Sequence, residues 1–159
     1  MTEEQMIQKA RKLAAERYKK GEFLCAEAVL YTINELLEKP FPDEIVKLAS
    51  GFPAGIGESG CVCGAISGGV MALGLVFGRT EPGKKCPKIY PAARELHDWF
   101  KKNYKSTCCR VLTRNFKFGS KEHIKQCIEI TGDVAGKTME LIFKYQKTGR
   151  LKLLFKKLG

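Results

Sequence analysis

The sequence contains no hydrophobic run long enough to span a bilayer. Its longest apolar stretch, Val70–Phe77, is interrupted by Gly74, whereas a membrane-spanning helix needs about 20 apolar residues. The first residues, MTEEQMIQKARK, are charged and lack the apolar segment of a signal peptide. We therefore expect a protein without a membrane span, located in the cytoplasm.

Signatures of hydrolases and kinases are also missing. No pair of carboxylates and no Ser-His-Asp order stands out in the sequence. The stretch GIGESG at 55–60 has the glycines of a phosphate-binding loop but lacks its lysine and the preceding strand. The sequence therefore gives no support for either chemistry, and it leaves open whether the chain is an enzyme.

Acidic residues are scarce, most of all at the C-terminus. The chain has 28 basic and 17 acidic residues, a net charge of +11, and no acid after Glu140. The basic residues that follow are Lys144, Lys147, Arg150, Lys152, Lys156 and Lys157. Aromatic residues are not interleaved with them as in single-strand-binding surfaces. A solvated helix face is the simplest interpretation, with an acidic partner protein as the alternative. We do not expect nucleic acid binding, and homo-oligomers remain open.

Apolar residues recur at steps of three and four, which predicts helices and no strand. The predicted helices span residues 3–20, 24–38, 43–49, 63–77 and 90–103, a short one at STCCRVL, and 120–145. Asp43, Ser106 or Thr107, and Ser120 are the predicted N-caps of three of them. We expect an all-α, compact single domain of five to seven helices over residues 1–145, followed by a basic helical tail over 146–159.

The helix at 63–77 is expected to be central, because small residues line two of its faces. Gly64, Gly68 and Ala72 fall four apart, which lets another backbone approach closely. Glycine costs about 1 kcal/mol relative to alanine inside a helix. Close packing is the expected compensation.

Cysteine is the one reactive residue in excess. The chain has seven cysteines and no CxxC pair, which argues against a thioredoxin-like site and a zinc ribbon. Most of them fall at predicted helix starts, where the helix dipole and free N–H groups favour the thiolate. We therefore expect several thiols to converge on one site. Cys86, in a lysine-rich loop, is expected to be an incidental exposed thiol.

Some spacings suggest metal ligands without being specific. His123 and Cys127 are four apart and share a helix face, and Cys61 and Cys63 flank a single residue. Of the adjacent Cys108 and Cys109, at most one is expected to be functional, since a vicinal disulfide is strained. The number of cysteines in a chain of this kind favours metal, cluster or redox chemistry, although their spacing does not match common ferredoxin patterns.

Five stretches together resemble a known family. They are CAEAVL at 25–30, ASGFPAGIG at 49–57, CGAISGGVMALGL at 63–75, CCRVLT at 108–113, and Cys127 in a helix. The chain resembles, over about residues 20–140, the family of redox-active proteins named for four cysteines and a CGAxxG motif. The resemblance implies that the four family cysteines are Cys25, Cys63, Cys109 and Cys127. Cys109 is preferred to Cys108 because family members read Cys-Arg there.

The resemblance also implies a function. A similar domain in split-Soret-type cytochromes is associated with an iron–sulfur centre, which implies a two-iron (2Fe-2S) cluster and electron transfer here. Because no CxxCH motif is present, we expect no covalent haem. We then expect Gly55, Gly57, Gly64, Gly68 and Arg110 to support the cluster site. Possible alternate ligands are Cys61, Cys108 and His123. The alternatives are a thiol–disulfide protein that uses the same cysteines, and a non-catalytic helical protein stabilised by zinc or disulfides.

Overall fold

The computed structural model describes the backbone of residues 1–157 and the side chains of residues 1–148. It contains the helices α1 (Glu3–Lys19), α2 (Cys25–Leu36), the 3-10 helix η1 (Asp43–Ala49), α3 (Pro53–Ile56), α4 (Gly64–Phe77), α5 (Ile89–Tyr104), α6 (Cys109–Thr113) and α7 (Lys121–Lys157). No strand occurs within residues 1–157. The prediction of an all-α fold is confirmed.

The helices share one hydrophobic core. Helix α7 packs against α1, α2, α4 and α5, and α2 packs against α4. The largest fully buried side chains come from these helices: Leu30, Ile33, Leu73, Leu96, Phe100, Met139, Leu141 and Ile142. Helix α4 also contacts η1 and α3, so it has the central position that its small residues predicted.

Glycines allow three neighbours to approach α4 closely. A Cβ added at Gly68 would collide with the carbonyl oxygen of Ala26 in α2 and lie 3.0 Å from that residue's Cα. A Cβ at Gly69 would lie 2.8 Å from both Leu96 Cδ2 of α5 and Thr138 Oγ1 of α7. Side chains at these positions would push α2, α5 and α7 away from α4.

Local hydrogen bonds fix where the helices begin. The Glu27 carboxylate accepts from the Leu24 N–H at 2.9 Å and starts α2 at Cys25. The predicted cap Ser120 is present, since its hydroxyl accepts from the His123 N–H at 3.3 Å. Each such bond satisfies a backbone donor that the first turn leaves free.

Two predicted caps are wrong. Asp43 is the first residue of η1, and Pro42 occupies the N-cap position. Cys108 is the N-cap of α6, where Ser106 or Thr107 was expected. The Ser106 hydroxyl still contributes, because it accepts from the Cys108 N–H at 3.1 Å. The turn therefore begins later than predicted and places a thiol at the cap.

The last helix continues beyond its predicted end at Tyr145. Helix α7 is continuous to Lys157, and its helical backbone is not interrupted at residue 145. Lys144 is paired with Glu95 of α5 at 2.8 Å, and Lys147 with Glu3 of α1 at 2.7 Å. The side chains of Arg150, Lys152, Lys156 and Lys157 lie outside the described residues. The division into a domain and a basic tail stays a prediction.

A helix that spans a membrane must be both long and apolar. Among the described residues, no helix is both long enough and apolar enough to cross a bilayer.

Substituting Gly68 tests the contact between α2 and α4. We expect Gly68→Ala to lower the free energy of unfolding by about 1–3 kcal/mol, because the added methyl group overpacks against the Ala26 backbone. Gly74 lies in the same helix with no atom within 4 Å of an added Cβ. Gly74→Ala should therefore raise the free energy of unfolding by up to about 1 kcal/mol, from helix propensity alone. Urea unfolding followed by circular dichroism measures both. Equal stability of the two variants would contradict the close contact.

Candidate functional site

Four cysteines from distant parts of the sequence line one cavity. The cavity has a volume of about 270 Å³, and Cys25, Cys63, Cys109 and Cys127 are among its lining residues. Cys25 begins α2, Cys63 is the N-cap of α4, Cys109 begins α6, and Cys127 lies in the second turn of α7. The structure thus brings together the four residues that the family resemblance implied as ligands.

The rest of the lining is mostly apolar. Helices and loops around the thiols contribute Leu24, Pro53, Ala65, Leu112, Ile124 and Ile130. Gly64 matters most here, because a Cβ at this position would collide with the Sγ atom of Cys25 and lie 3.1 Å from Phe52 O. Glycine at 64 therefore lets the first turn of α4 lie directly against the thiol at the start of α2.

The four cavity thiols are not arranged as a metal-ligating group. Within the described residues, no three side chains of His, Cys, Asp or Glu are placed to hold a metal ion together. All seven cysteines are free thiols. The four sulfurs share a cavity without meeting at ligand distances, so the ligand set stays a prediction.

Burial controls the charge of the two deepest thiols. Loss of hydration raises the pKa of Cys63, and the nearby Cys25 raises it further. The backbone groups of Ala65 and Ile66 at the start of α4 lower it by a smaller amount. Burial likewise raises the pKa of Cys25, against a smaller lowering by backbone groups. The expectation that helix starts favour the thiolate is therefore wrong here, because desolvation outweighs the backbone N–H groups.

The other two cavity thiols follow the same rule. Burial raises the pKa of Cys127 to about 11, and Cys25 and Cys109 add to the shift. Burial also raises the pKa of Cys109, followed by the effect of the adjacent Cys108. The cavity therefore holds neutral thiols at neutral pH unless a cation enters it.

Tyr18 is a cavity residue that the sequence analysis did not single out. It lines the cavity from α1, and its hydroxyl is a hydrogen-bonding neighbour of Cys127 that favours the Cys127 thiolate. Burial raises the pKa of Tyr18, so the phenol keeps its proton. The periodicity of α1 places Tyr18 on the apolar face of the helix. A polar hydroxyl on an apolar face was the sequence signal that could have identified this residue.

His123 lines the cavity in a form that donates a hydrogen bond. The Gly119 N–H donates to His123 Nδ1 at 2.9 Å, so the proton of the neutral ring is on Nε2. Burial lowers the pKa of His123 and keeps the ring neutral. A metal needs an unprotonated nitrogen. In this arrangement His123 supplies an N–H donor. To act as an alternate metal ligand, it would first have to lose the hydrogen bond from the Gly119 N–H.

The remaining alternate thiols lie outside the cavity. Cys61 is exposed and Cys108 is half-buried, and neither is among the lining residues. Their Sγ atoms are 2.8 Å apart. Cys86 lies in the loop between α4 and α5, beside a separate, lysine-rich cleft.

Four of the expected supporting residues, Arg110, Gly55, Gly57 and Gly68, lie outside the cavity lining. The Arg110 guanidinium donates to the Ser59 carbonyl at 2.8 Å and does not line the cavity. Gly55 has a φ of +72° and is so close to Gly60 that a Cβ would lie 2.6 Å from Gly60 C. Gly57 faces open space and Gly68 faces Ala26. These residues therefore shape the loop and the helix contact, and none of them lines the cavity.

Alkylation kinetics test the burial of the cavity thiols. In the metal-free native protein, we expect the rate at which iodoacetamide alkylates Cys127 to rise until about pH 11, because the thiolate is the attacking form. In the protein unfolded in urea, the rate should level off near the ordinary thiol pKa of about 8.5. The raised pKa stabilises the native state below about pH 8.5, and this contribution is lost as the pH rises toward 11. Peptide mass spectrometry measures the rates, and coinciding profiles would contradict the shift.

Comparisons with known proteins place the chain in a family. A relative from Archaeoglobus fulgidus, described as "Uncharacterized protein", is 26% identical over 132 residues, which cover 78% of this chain and 87% of the relative. No solved structure matches the chain significantly. The sequence model of one family, described as "Putative redox-active protein (C_GCAxxG_C_C)", matches residues 23–141.

That match contains all four cavity cysteines and most of the helical domain. The family label writes its motif as GCAxxG, and the corresponding stretch here begins Cys63-Gly64-Ala65 and ends at Gly68. The match confirms the resemblance that the cysteines and the glycine-rich helix suggested. The chain belongs to the C_GCAxxG_C_C family of redox-active proteins.

Proposed function

We propose that the cavity binds a two-iron iron–sulfur cluster through Cys25, Cys63, Cys109 and Cys127, and that the protein transfers electrons. The observation that carries this proposal is that four cysteines from four separate parts of the fold line one cavity. Four thiolates are the usual ligand set of a two-iron cluster. The redox-active description of the family supports the same class of function.

The donor set fits such a group chemically. Each of the four thiols has a raised pKa, with burial as the largest cause. Bound iron would reverse this preference, because a metal ion deprotonates the thiols that coordinate it. Loading would therefore release protons and draw the four sulfurs toward one another.

Neighbouring donors would adjust the properties of the bound sulfurs. Backbone groups of Ala65 and Ile66 already favour the charged form of Cys63, and the Tyr18 hydroxyl favours that of Cys127. The Nε2–H of His123 is a further donor in the cavity lining. Hydrogen bonds to ligand sulfurs and an apolar surrounding are two means by which a protein sets the reduction potential of a cluster.

An acidic redox partner suits the charge of the chain. The net charge of +11 favours association with an acidic protein surface, at a rate that falls as salt is added. A small electron carrier of this kind needs no substrate pocket.

Burial favours a cluster over thiol exchange at the same four cysteines. Exchange requires an accessible thiolate as the attacking group. Cys63 is only 7% exposed, and all four thiols are protonated at neutral pH. Zinc shares the four-cysteine donor set with an iron–sulfur cluster, so it is the alternative that a metal assay must separate.

Metal analysis after purification without oxygen tests the proposal. We expect about two irons and two acid-labile sulfides per chain, with visible absorption that dithionite bleaches. Cys63→Ser should lose most of the iron and the colour. Cys86→Ser is the matched control, because Cys86 lies outside the cavity, and it should load like the unchanged protein.

The other outcomes identify what replaces the cluster. Stoichiometric zinc without sulfide would contradict the cluster and keep the ligand set. Equal loading of Cys63→Ser and the unchanged protein would contradict the ligand set itself. A colourless protein that contains no metal and cannot be reconstituted with iron and sulfide would contradict both.

A further inference from the structure

We propose that Cys61 and Cys108 form a second redox site, a surface dithiol that closes to a disulfide by exchange with a disulfide-bearing partner molecule. Neither residue lines the four-cysteine cavity. The site is separate from the proposed cluster and does not depend on it.

The two sulfurs are already in contact. Cys61 Sγ lies 2.8 Å from Cys108 Sγ, although 47 positions separate the residues in sequence. The bond in a disulfide is about 2.05 Å long, so small side-chain rotations would bring the atoms to bonding distance. Cys61 is exposed to solvent and Cys108 is half-buried beside it. Cys61 is therefore the thiol that a partner reaches first.

Backbone hydrogen bonds on both sides of the pair hold it in place. The Arg110 N–H donates to the Gly60 carbonyl at 2.9 Å, and the Cys63 N–H donates to the Thr107 carbonyl at 2.7 Å. The Arg110 guanidinium adds a bond to the Ser59 carbonyl at 2.8 Å. We call the contact between residues 59–63 and 107–110 the loop clamp. The hydrogen bonds of the loop clamp form without a disulfide. The two reduced thiols therefore stay aligned, and a disulfide between them can form and break while residues 59–63 and 107–110 remain in contact.

The chemistry balances as ordinary thiol–disulfide exchange. Cys61 gives up its proton and the resulting thiolate attacks one sulfur of the partner disulfide; the partner S–S bond breaks, and the first partner sulfur leaves as a thiolate that takes up this proton. Cys108 then attacks Cys61 Sγ in the mixed disulfide, and the second partner thiol leaves with the other proton. The partner disulfide is reduced to two thiols, and Cys61 and Cys108 are oxidised to one disulfide.

The surroundings favour a negatively charged partner. Contact with Cys108 raises the pKa of Cys61, and Arg110, which lies beside Cys61 in the loop clamp, partly offsets this rise; the whole chain is strongly basic. Oxidised glutathione is therefore a suitable probe, because it combines a disulfide bond with carboxylates. The neighbouring Cys63 and Cys109 line the cavity, whereas Cys61 and Cys108 do not.

Thiol counting in glutathione buffers tests the proposal. We expect the unchanged protein to lose two alkylatable thiols reversibly in oxidised glutathione, with Cys61 and Cys108 joined in the fragmented peptides. Cys108→Ser should lose only one and should carry one glutathione on Cys61, because the second step is blocked. Cys61→Ser should form no intramolecular bond. Cys86→Ser is the control and should behave as the unchanged protein.

Several results would overturn the proposal. These are a disulfide that joins other cysteines, a two-thiol loss that persists in Cys61→Ser or Cys108→Ser, and no thiol loss in the unchanged protein. Circular dichroism confirms that each variant is folded, and Cys108→Ala provides a second removal of the same sulfur. Iron content is measured on the same samples, so that a missing cluster and a missing disulfide are recorded as separate failures.

Discussion

The close contact between α2 and α4 is the constraint on which both the fold and the cavity depend. At Gly68 the backbone of α4 touches the Ala26 carbonyl, and at Gly64 it touches the Cys25 thiol. The two contacts lie one helical turn apart, so the same approach that packs the core also sets Cys25 beside the start of α4. Each glycine costs about 1 kcal/mol of helix propensity, and burial of α2 and α4 side chains such as Leu30 and Leu73 offsets that cost.

Desolvation then decides the state of the thiols that this contact brings together. Helix starts do lower the pKa of Cys25 and Cys63, as the dipole argument requires, but burial acts more strongly in the opposite direction. A cavity of neutral thiols has little reactivity toward solutes. The proposed cluster would have to replace the protons of all four thiols. The same burial that suppresses thiol chemistry would therefore make loading of the proposed cluster depend on pH.

Helices and their packing could be predicted from the sequence because both are encoded locally. The three- and four-residue periodicity located all the long helices, and the spacing of Gly64, Gly68 and Ala72 identified α4 as central. The positions of the thiols at helix starts suggested that several of them converge, but the identity of the four came from the family resemblance. Contacts between residues so far apart in sequence depend on how the helices pack. Tyr18 near Cys127 and Cys61 against Cys108 were missed for the same reason. The thiolate expectation failed because burial depends on tertiary packing, whereas the helix dipole follows from sequence position alone.

The spacing of the cysteines explains how one loop clamp can serve two sites. Cys61 and Cys63 are two apart, and Cys108 and Cys109 are adjacent, so each segment presents one thiol to the surface and one to the cavity. The hydrogen bonds from Arg110 to Gly60 and from Cys63 to Thr107 therefore position both pairs at once. A disulfide between the outer thiols would tie together the two segments that carry Cys63 and Cys109. Cys61 is exposed, which gives the proposed outer pair access to a partner disulfide, and the four inner thiols are the ones proposed to hold a cluster.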